Sequence, residues 1–117
     1  MTESVITRLR EQNLSDDLAF AQFWKDNRLS FRPKGKRLIK RELRDKKVAS
    51  EIIEQVTNDI DDDMIAYKLG SGRLPSIAHL DYPDFRRRLS SYLAYRGFSY
   101  EVIRDTVARL WWEREQS

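Results

Sequence analysis

"LRDKKVASEIIEQVTNDI", residues 43–60, decides the fold because it is written twice: shifted by fifty positions without a gap, it lies over "LAYRGFSYEVIRDTVARL", residues 93–110. The agreement is chemical more than literal. Val48 falls on Phe98, Ala49 on Ser99, Glu51 on Glu101, Ile52 on Val102, Ile53 on Ile103 and Ile60 on Leu110. In each copy an apolar residue stands just before a turn and five positions ahead of an isoleucine. That is the separation at which the residue preceding an N-cap packs on the fourth residue of the helix it introduces. Two such hydrophobic staples at a fixed period mark one supersecondary unit used repeatedly.

Outward from the repeat, Pro33, Gly35, Gly70, Gly72, Pro75, Pro83 and Gly97 punctuate segments whose apolar residues recur at helical spacing. The periodicity predicts helices over Thr2 to Gln12, Asp16 to Arg28, Lys36 to Lys47, Ser50 to Ile60, Asp62 to Leu69, Pro83 to Arg96 and Tyr100 to Arg114, and no strand. Gly70 to Pro83 reads as a connecting loop with Ile77 and Leu80 tucked into the core. "DDLAFA" from Asp16 and "DDDMIA" from Asp61 correspond as well, with carboxylates in the first turn where the helix dipole favours them. The expected architecture is all-α: tandem three-helix repeats at residues 15–60 and 61–117, stacked around a shared interior. Residues 1–14 match the last helix of such a unit and are expected to be the remnant of a preceding repeat, either cut away or absent by nature.

The 117 residues suit one domain, and 40% hydrophobic with 35% charged residues describes a polar but foldable soluble chain. With no cysteine there is neither a disulfide framework nor a thiolate metal site, which fits a reducing cytoplasm. Neither a signal peptide nor an apolar run long enough to span a membrane is present in the sequence, so no membrane partner is expected.

The net charge of +3 hides an asymmetry: Arg32 to Lys47 carries nine basic and two acidic side chains, +7 locally, leaving −4 for the rest. On the helix from Lys36, Leu38, Ile39 and Leu43 share one side, while Arg37, Lys40, Arg41 and Arg44 fall at i, i+3, i+4 and i+7 on the other. Like charges at these spacings cost about 0.2–0.5 kcal/mol per pair. The stripe could still be a solvated face whose long stems cover the core. The second copy tilts the reading: the same positions there are Arg87, Ser90, Ser91 and Ala94, so the unit is soluble without the stripe. A polyanion or an acidic protein surface would use it.

Three stretches, "DDLAFAQFW", "RLSFRPKGKRLIKREL" and "KKVASEIIEQV", resemble the central repeat of the RecX family, and "YLAYRGFSYEVIRDTV", Tyr92 to Val107, resembles its last repeat with its Arg-Gly-Phe-Ser turn. The resemblance runs from about Val5 to Trp112. It implies a curved, elongated all-helical array that binds the RecA nucleoprotein filament, protein plus single-stranded DNA, and restrains recombinase and coprotease activity in DNA repair without chemistry of its own. The positions that could meet the filament are Arg32, Lys34, Lys36, Arg37, Lys40, Arg41 and Arg44. A cytoplasmic monomer with at most weak direct DNA binding is expected. Lys47 departs from the family pattern, which has glycine there, the residue that most easily takes a left-handed helix cap. The alternatives are an autonomous DNA-binding protein using the Arg37, Lys40, Arg41 and Arg44 stripe on phosphates, and a helical structural subunit with no charged partner.

No enzymatic chemistry, metal or cofactor is expected. His79 is the only histidine and has no ligand company, and Asp61 to Asp63 lack the alternation and closing Glu of a calcium loop, which leaves them as helix-capping carboxylates. Neither a nucleophile elbow nor a phosphate-cradling glycine loop occurs. Phe20, Phe23 and Trp24 read as core, Trp111 as a continuation of the stripe of Ile103, Val107 and Leu110, and Trp112 as closing the end of the array.

Overall fold

The duplicated segment folds twice into the same turn. A computed structural model describes the backbone of residues 2–116 and the side chains of residues 16–116. Its helices, in chain order, are α1 Thr2–Ser30, α2 Lys36–Asp45, α3 Ser50–Thr57, α4 Asp62–Ile77, α5 Tyr82–Tyr95 and α6 Tyr100–Gln116, and among the described residues there is no strand. At the end of α2 the Lys47 N–H donates to the Arg44 carbonyl at 2.9 Å and the Val48 N–H to the Leu43 carbonyl at 3.1 Å. After α5 the Gly97 N–H donates to Ala94 at 3.0 Å and the Phe98 N–H to Leu93 at 3.2 Å. Both are Schellman caps, which need a left-handed residue at the turn. Gly97 supplies it at φ 90° and Lys47 at φ 63°. The turn is therefore kept without its glycine, at a cost of about 1 kcal/mol for a residue with a Cβ in that conformation.

Each cap leads into the staple that the spacing predicts. Val48 and Ile53 are both buried in one core, and Phe98 is buried with Ile103 packed beside it in another. Ala21, Ile39, Leu43, Ile52, Val56 and Ile60 complete the first core, from α1 to α3. Phe85, Leu89, Leu93, Val107 and Leu110 centre the second, from α4 to α6. The expected shared interior is not found: the extensive helix contacts all lie within one triplet or the other, and partly buried Ile65 touches both cores. Two small cores laid end to end give an elongated molecule of 71 × 20 × 16 Å.

Three further expectations are corrected. Asp16 does not start a helix, because α1 runs from Thr2 to Ser30 without a break. Asn13 to Ser15 contains neither Gly nor Pro, and its residues cost a helix only tenths of a kcal/mol each. The reading of residues 1–14 as the remnant of a preceding repeat falls on side chains outside the described range. The expected loop from Gly70 is helix as far as Ile77, with Pro75 inside it. Gly70 is buried where a Cβ would lie 2.5 Å from Leu110, so α4 presses closely on α6 there, and Leu74, Ile77 and Leu80 pack into the second core. That burial offsets the hydrogen bond a helical proline forfeits. Finally, Phe20 and Phe23 are exposed, as is Trp112 at the far end of α6, whereas Trp24 is partly buried. Trp111 does join the second core, edge-on to Tyr82 and Phe85 with ring centroids 5.1 Å apart in each pair.

The two triplets meet at a small polar joint. Gly35, the N-cap of α2, has no side chain to bond the free amides of the first turn. The second triplet supplies what is missing: the Lys36 N–H donates to Asp62 Oδ1 at 2.9 Å, and the Gly35 N–H donates to the Arg96 carbonyl at 2.7 Å. Arg96 Nη1 returns a hydrogen bond to the Pro33 carbonyl at 3.3 Å. A Cβ on Gly35 would sit 2.4 Å from the Gly97 carbonyl oxygen, so glycine here permits two backbones to touch. Burial, with Asp61 and Asp63 alongside, raises the Asp62 carboxyl above its ordinary value, and the bond and charge of Lys36 only partly oppose this.

Candidate functional site

The joint fixes the direction of α2, and α2 carries the charge. Ile39 and Leu43 are fully buried, and Leu38 lies against Gly97, where a Cβ would come within 2.3 Å of it. The opposite side is thereby committed to solvent. Arg37, Arg41 and Arg44 are exposed there, and among the described residues none of the three forms a salt bridge. Arg32, in the turn before the helix, is exposed too, with a positive φ of 147°.

Two of the other three predicted cations, Lys34 and Lys40, are employed within the fold. Lys34 bonds Glu42 at 3.1 Å, joined there by Arg28 Nε at 2.8 Å and Trp24 Nε1 at 3.1 Å. Burial alone would raise the Glu42 carboxyl, but the hydrogen bonds and charges of Lys34 and Arg28 outweigh it and hold it below its ordinary value. This carboxylate ties α1, the turn after it and α2 together. Lys40 reaches across to Glu54 on α3 at 2.8 Å. Its hydrogen bond and charge, helped by Lys36 and Arg44, keep Glu54 ionised below the ordinary range. Lys36 is half-buried at the joint, where its backbone is held by Asp62. Thus the seven predicted residues divide: Arg32, Arg37, Arg41 and Arg44 face outward unpaired by any carboxylate among the described residues, Lys34 and Lys40 brace the helix that presents them through their ammonium groups, and Lys36 does so through its backbone N–H alone. Sequence spacing showed the stripe but not the braces, because Glu42 and Glu54 find their lysines through the fold.

Among the described residues no group of three potential metal ligands comes together, and no helix is long and apolar enough to cross a membrane. Asp61 does what a helix-capping carboxylate does, accepting the Met64 N–H at 3.2 Å, and His79 is exposed.

Comparison with known proteins matches both triplets. The family profile described as "RecX, second three-helix domain" matches residues 16–56, and "RecX, third three-helix domain" matches residues 61–107. The regulatory protein RecX of Prosthecochloris aestuarii is 32% identical over 108 residues, spanning 92% of this chain and 71% of that protein. That of Chlorobium limicola is 29% identical over 110 residues, 94% of this chain and 69% of the relative. That of Pelodictyon phaeoclathratiforme is 30% identical over 108 residues, 92% and 68% respectively. No solved structure is significantly similar to the chain.

Proposed function

The chain belongs to the RecX family of regulatory proteins, and from that premise we propose that it is a non-enzymatic regulator that binds the RecA nucleoprotein filament through the outward face of α2 and restrains recombinase and coprotease activity. The observation that carries this reading is the outward set Arg37, Arg41 and Arg44, which no neighbouring carboxylate pairs among the described residues. Guanidinium groups left unpaired on a rigid helix are suited to phosphate and carboxylate surfaces, because their planar fork needs little reordering to make two hydrogen bonds at once. The units that act are the repeats at 15–60 and 61–117, the second serving to aim the first through the Gly35 and Asp62 joint. The activity belongs in the cytoplasm, where the filament forms.

Arg37→Glu with Arg41→Glu reverses two charges without touching Ile39 or Leu43. The double variant keeps its helical circular dichroism and loses suppression of RecA's DNA-dependent ATP hydrolysis; undiminished suppression rejects this face. Binding to bare DNA is the second reading, favoured by the same three arginines. On single-stranded DNA it would give a log–log salt slope of about −2, from about −0.7 for each of three phosphates. Steep, salt-sensitive binding that RecA leaves unchanged selects that reading instead.

A further inference from the structure

The same overlay that isolates the cationic face exposes a second feature, on the other repeat. In the first repeat the channel between α2 and α3 is bridged by Lys40 and Glu54 at 2.8 Å. Fifty positions on, these residues are Ser90 and Arg104, and no bridge forms. Arg44 likewise becomes Ala94. What remains between α5 and α6 is an open groove of about 740 Å³. Ala94, Ile103 and Val107 give it an apolar lining, Ser90 adds a small residue, and Arg86 and Arg104 stand along it. Tyr100, 76% exposed, stands at one end. None of the residues lining the groove is acidic. Arg104 has only the exposed Asp105 beside it in sequence, at 3.2 Å, and Arg87 has Asp84 at 3.0 Å on its own helix. Arg86 forms no salt bridge among the described residues.

Where the first repeat sets Glu54 across from Lys40, the second sets Arg104 across from Ser90; Arg104 meets only the exposed Asp105 outside the groove and Arg86 forms no salt bridge among the described residues, so the margin of the groove stays cationic. Tyr82 and Tyr100 both line the groove, but they begin different helices and the stretch between them is small and aliphatic, which favours inserted side chains over stacked bases, since those need aromatic faces in succession. An apolar furrow between two helices with a cationic margin fits the apolar stripe of a third helix, read at i, i+3 or i+4, and i+7. We propose that the α5–α6 groove docks an amphipathic helix of a partner protein, which lays apolar side chains along Ala94 and Ile103, above the buried Val107, and presents carboxylates to Arg86 and Arg104. This surface is separate from the α2 face and does not depend on it.

The test needs no RecA, so its failure leaves the α2 reading untouched. A fluorescent synthetic helix about five turns long, with leucines on one face and glutamates elsewhere, is titrated against the whole chain by anisotropy, beside a scrambled peptide of equal composition. Expected are saturable binding of the amphipathic peptide, shifts in the Ile103 and Val107 methyl signals, and affinity at least tenfold lower in two variants. One is Ser90→Lys with Arg104→Glu, which transplants the bridge of the first repeat; the other is Arg86→Glu on the exposed surface. No saturable binding up to about 1 mM, equal binding of the scrambled peptide, or affinity unchanged in both variants overturns the proposal. So does displacement of the peptide by an oligo-dT strand that shifts the same methyl signals, which would make the groove a nucleic-acid site.

Discussion

The two repeats use one set of helix positions for different ends. Glu42 and Tyr92 are equivalent, and each gathers two cations. Glu42 does so as a carboxylate, through Arg28 and Lys34. Tyr92 does so as a ring, with the Arg73 guanidinium 4.2 Å and that of Arg96 5.4 Å from its centroid. Lys47 and Gly97 hold the same left-handed turn with different side chains. Lys40 bonds Glu54 between α2 and α3, where Ser90 and Arg104 in the second repeat leave an open groove. The backbone plan is therefore indifferent to much of the surface chemistry laid over it. Differences between the copies then point to function more directly than the similarities do.

The largest effect expected from perturbing this pairing is at the turns. Gly97→Ala must place a Cβ at φ 90° and within 2.3 Å of Leu38, costing about 3 kcal/mol from left-handed strain and overpacking together. Lys47→Ala, at the equivalent position, changes stability by less than about 0.5 kcal/mol because the backbone already bears a side chain there. Urea unfolding of both variants measures the contrast, and similar losses would refute it.

Next in size is the Glu42 hub. Glu42→Gln removes the charge from hydrogen bonds given by Arg28 and Lys34 and costs about 2 kcal/mol. Because folding lowers the Glu42 carboxyl below its ordinary 4.5, its stabilisation is complete above that value and is lost as pH falls through the folded-state one. The exposed Glu54 and Asp59, also lowered, add weakly in the same direction; Glu113, lowered by its bonds from Tyr67 and Arg109, gives the second repeat an acid loss of its own; and Asp62, raised, works against them. A ring face has no proton to gain in acid. Amide exchange followed below pH 4.5 is expected to show the first core losing protection before the second. In Glu42→Gln the difference between the cores narrows; equal acid sensitivity in the wild type would contradict the comparison.

The smallest effect has the opposite sign. Lys47→Gly restores the residue suited to the cap and stabilises by about 1 kcal/mol, raising Tm by about 4 °C. No gain would mean that Lys47 repays its strain through contacts of its own.

Much of this was legible in the chain. The staples at Val48 with Ile53 and Phe98 with Ile103, the capping role of Asp61 and the split of α2 into buried and basic sides emerge from spacing alone, since each is a contact within a few residues. The left-handed turn at Lys47 could be read by comparing it with Gly97. What escaped the sequence depends on contacts between distant segments. Pro75 is held in a helix by the burial of Leu74 and Ile77, which local propensity opposes. Phe20 and Phe23 share a helix with Trp24, yet α2 and α3 cover only part of that side, leaving both phenylalanines exposed. The braces on Lys34 and Lys40 lie 8 and 14 residues from their carboxylates. The joint at Gly35 depends on a turn more than sixty residues away, beyond the reach of any periodicity.

The central claim, that Arg41 and Arg44 on the outward side of α2 are what the first repeat adds to a shared scaffold, is tested most directly by giving that repeat the residues of its twin. In Arg41→Ser with Arg44→Ala the face acquires the side chains found at Ser91 and Ala94. RecA's DNA-dependent ATP hydrolysis, measured with this variant at a protein concentration where the parent chain suppresses it, is expected to return to its unregulated rate while Tm stays within about 2 °C. Suppression equal to the parent's, with the fold intact, would contradict the account.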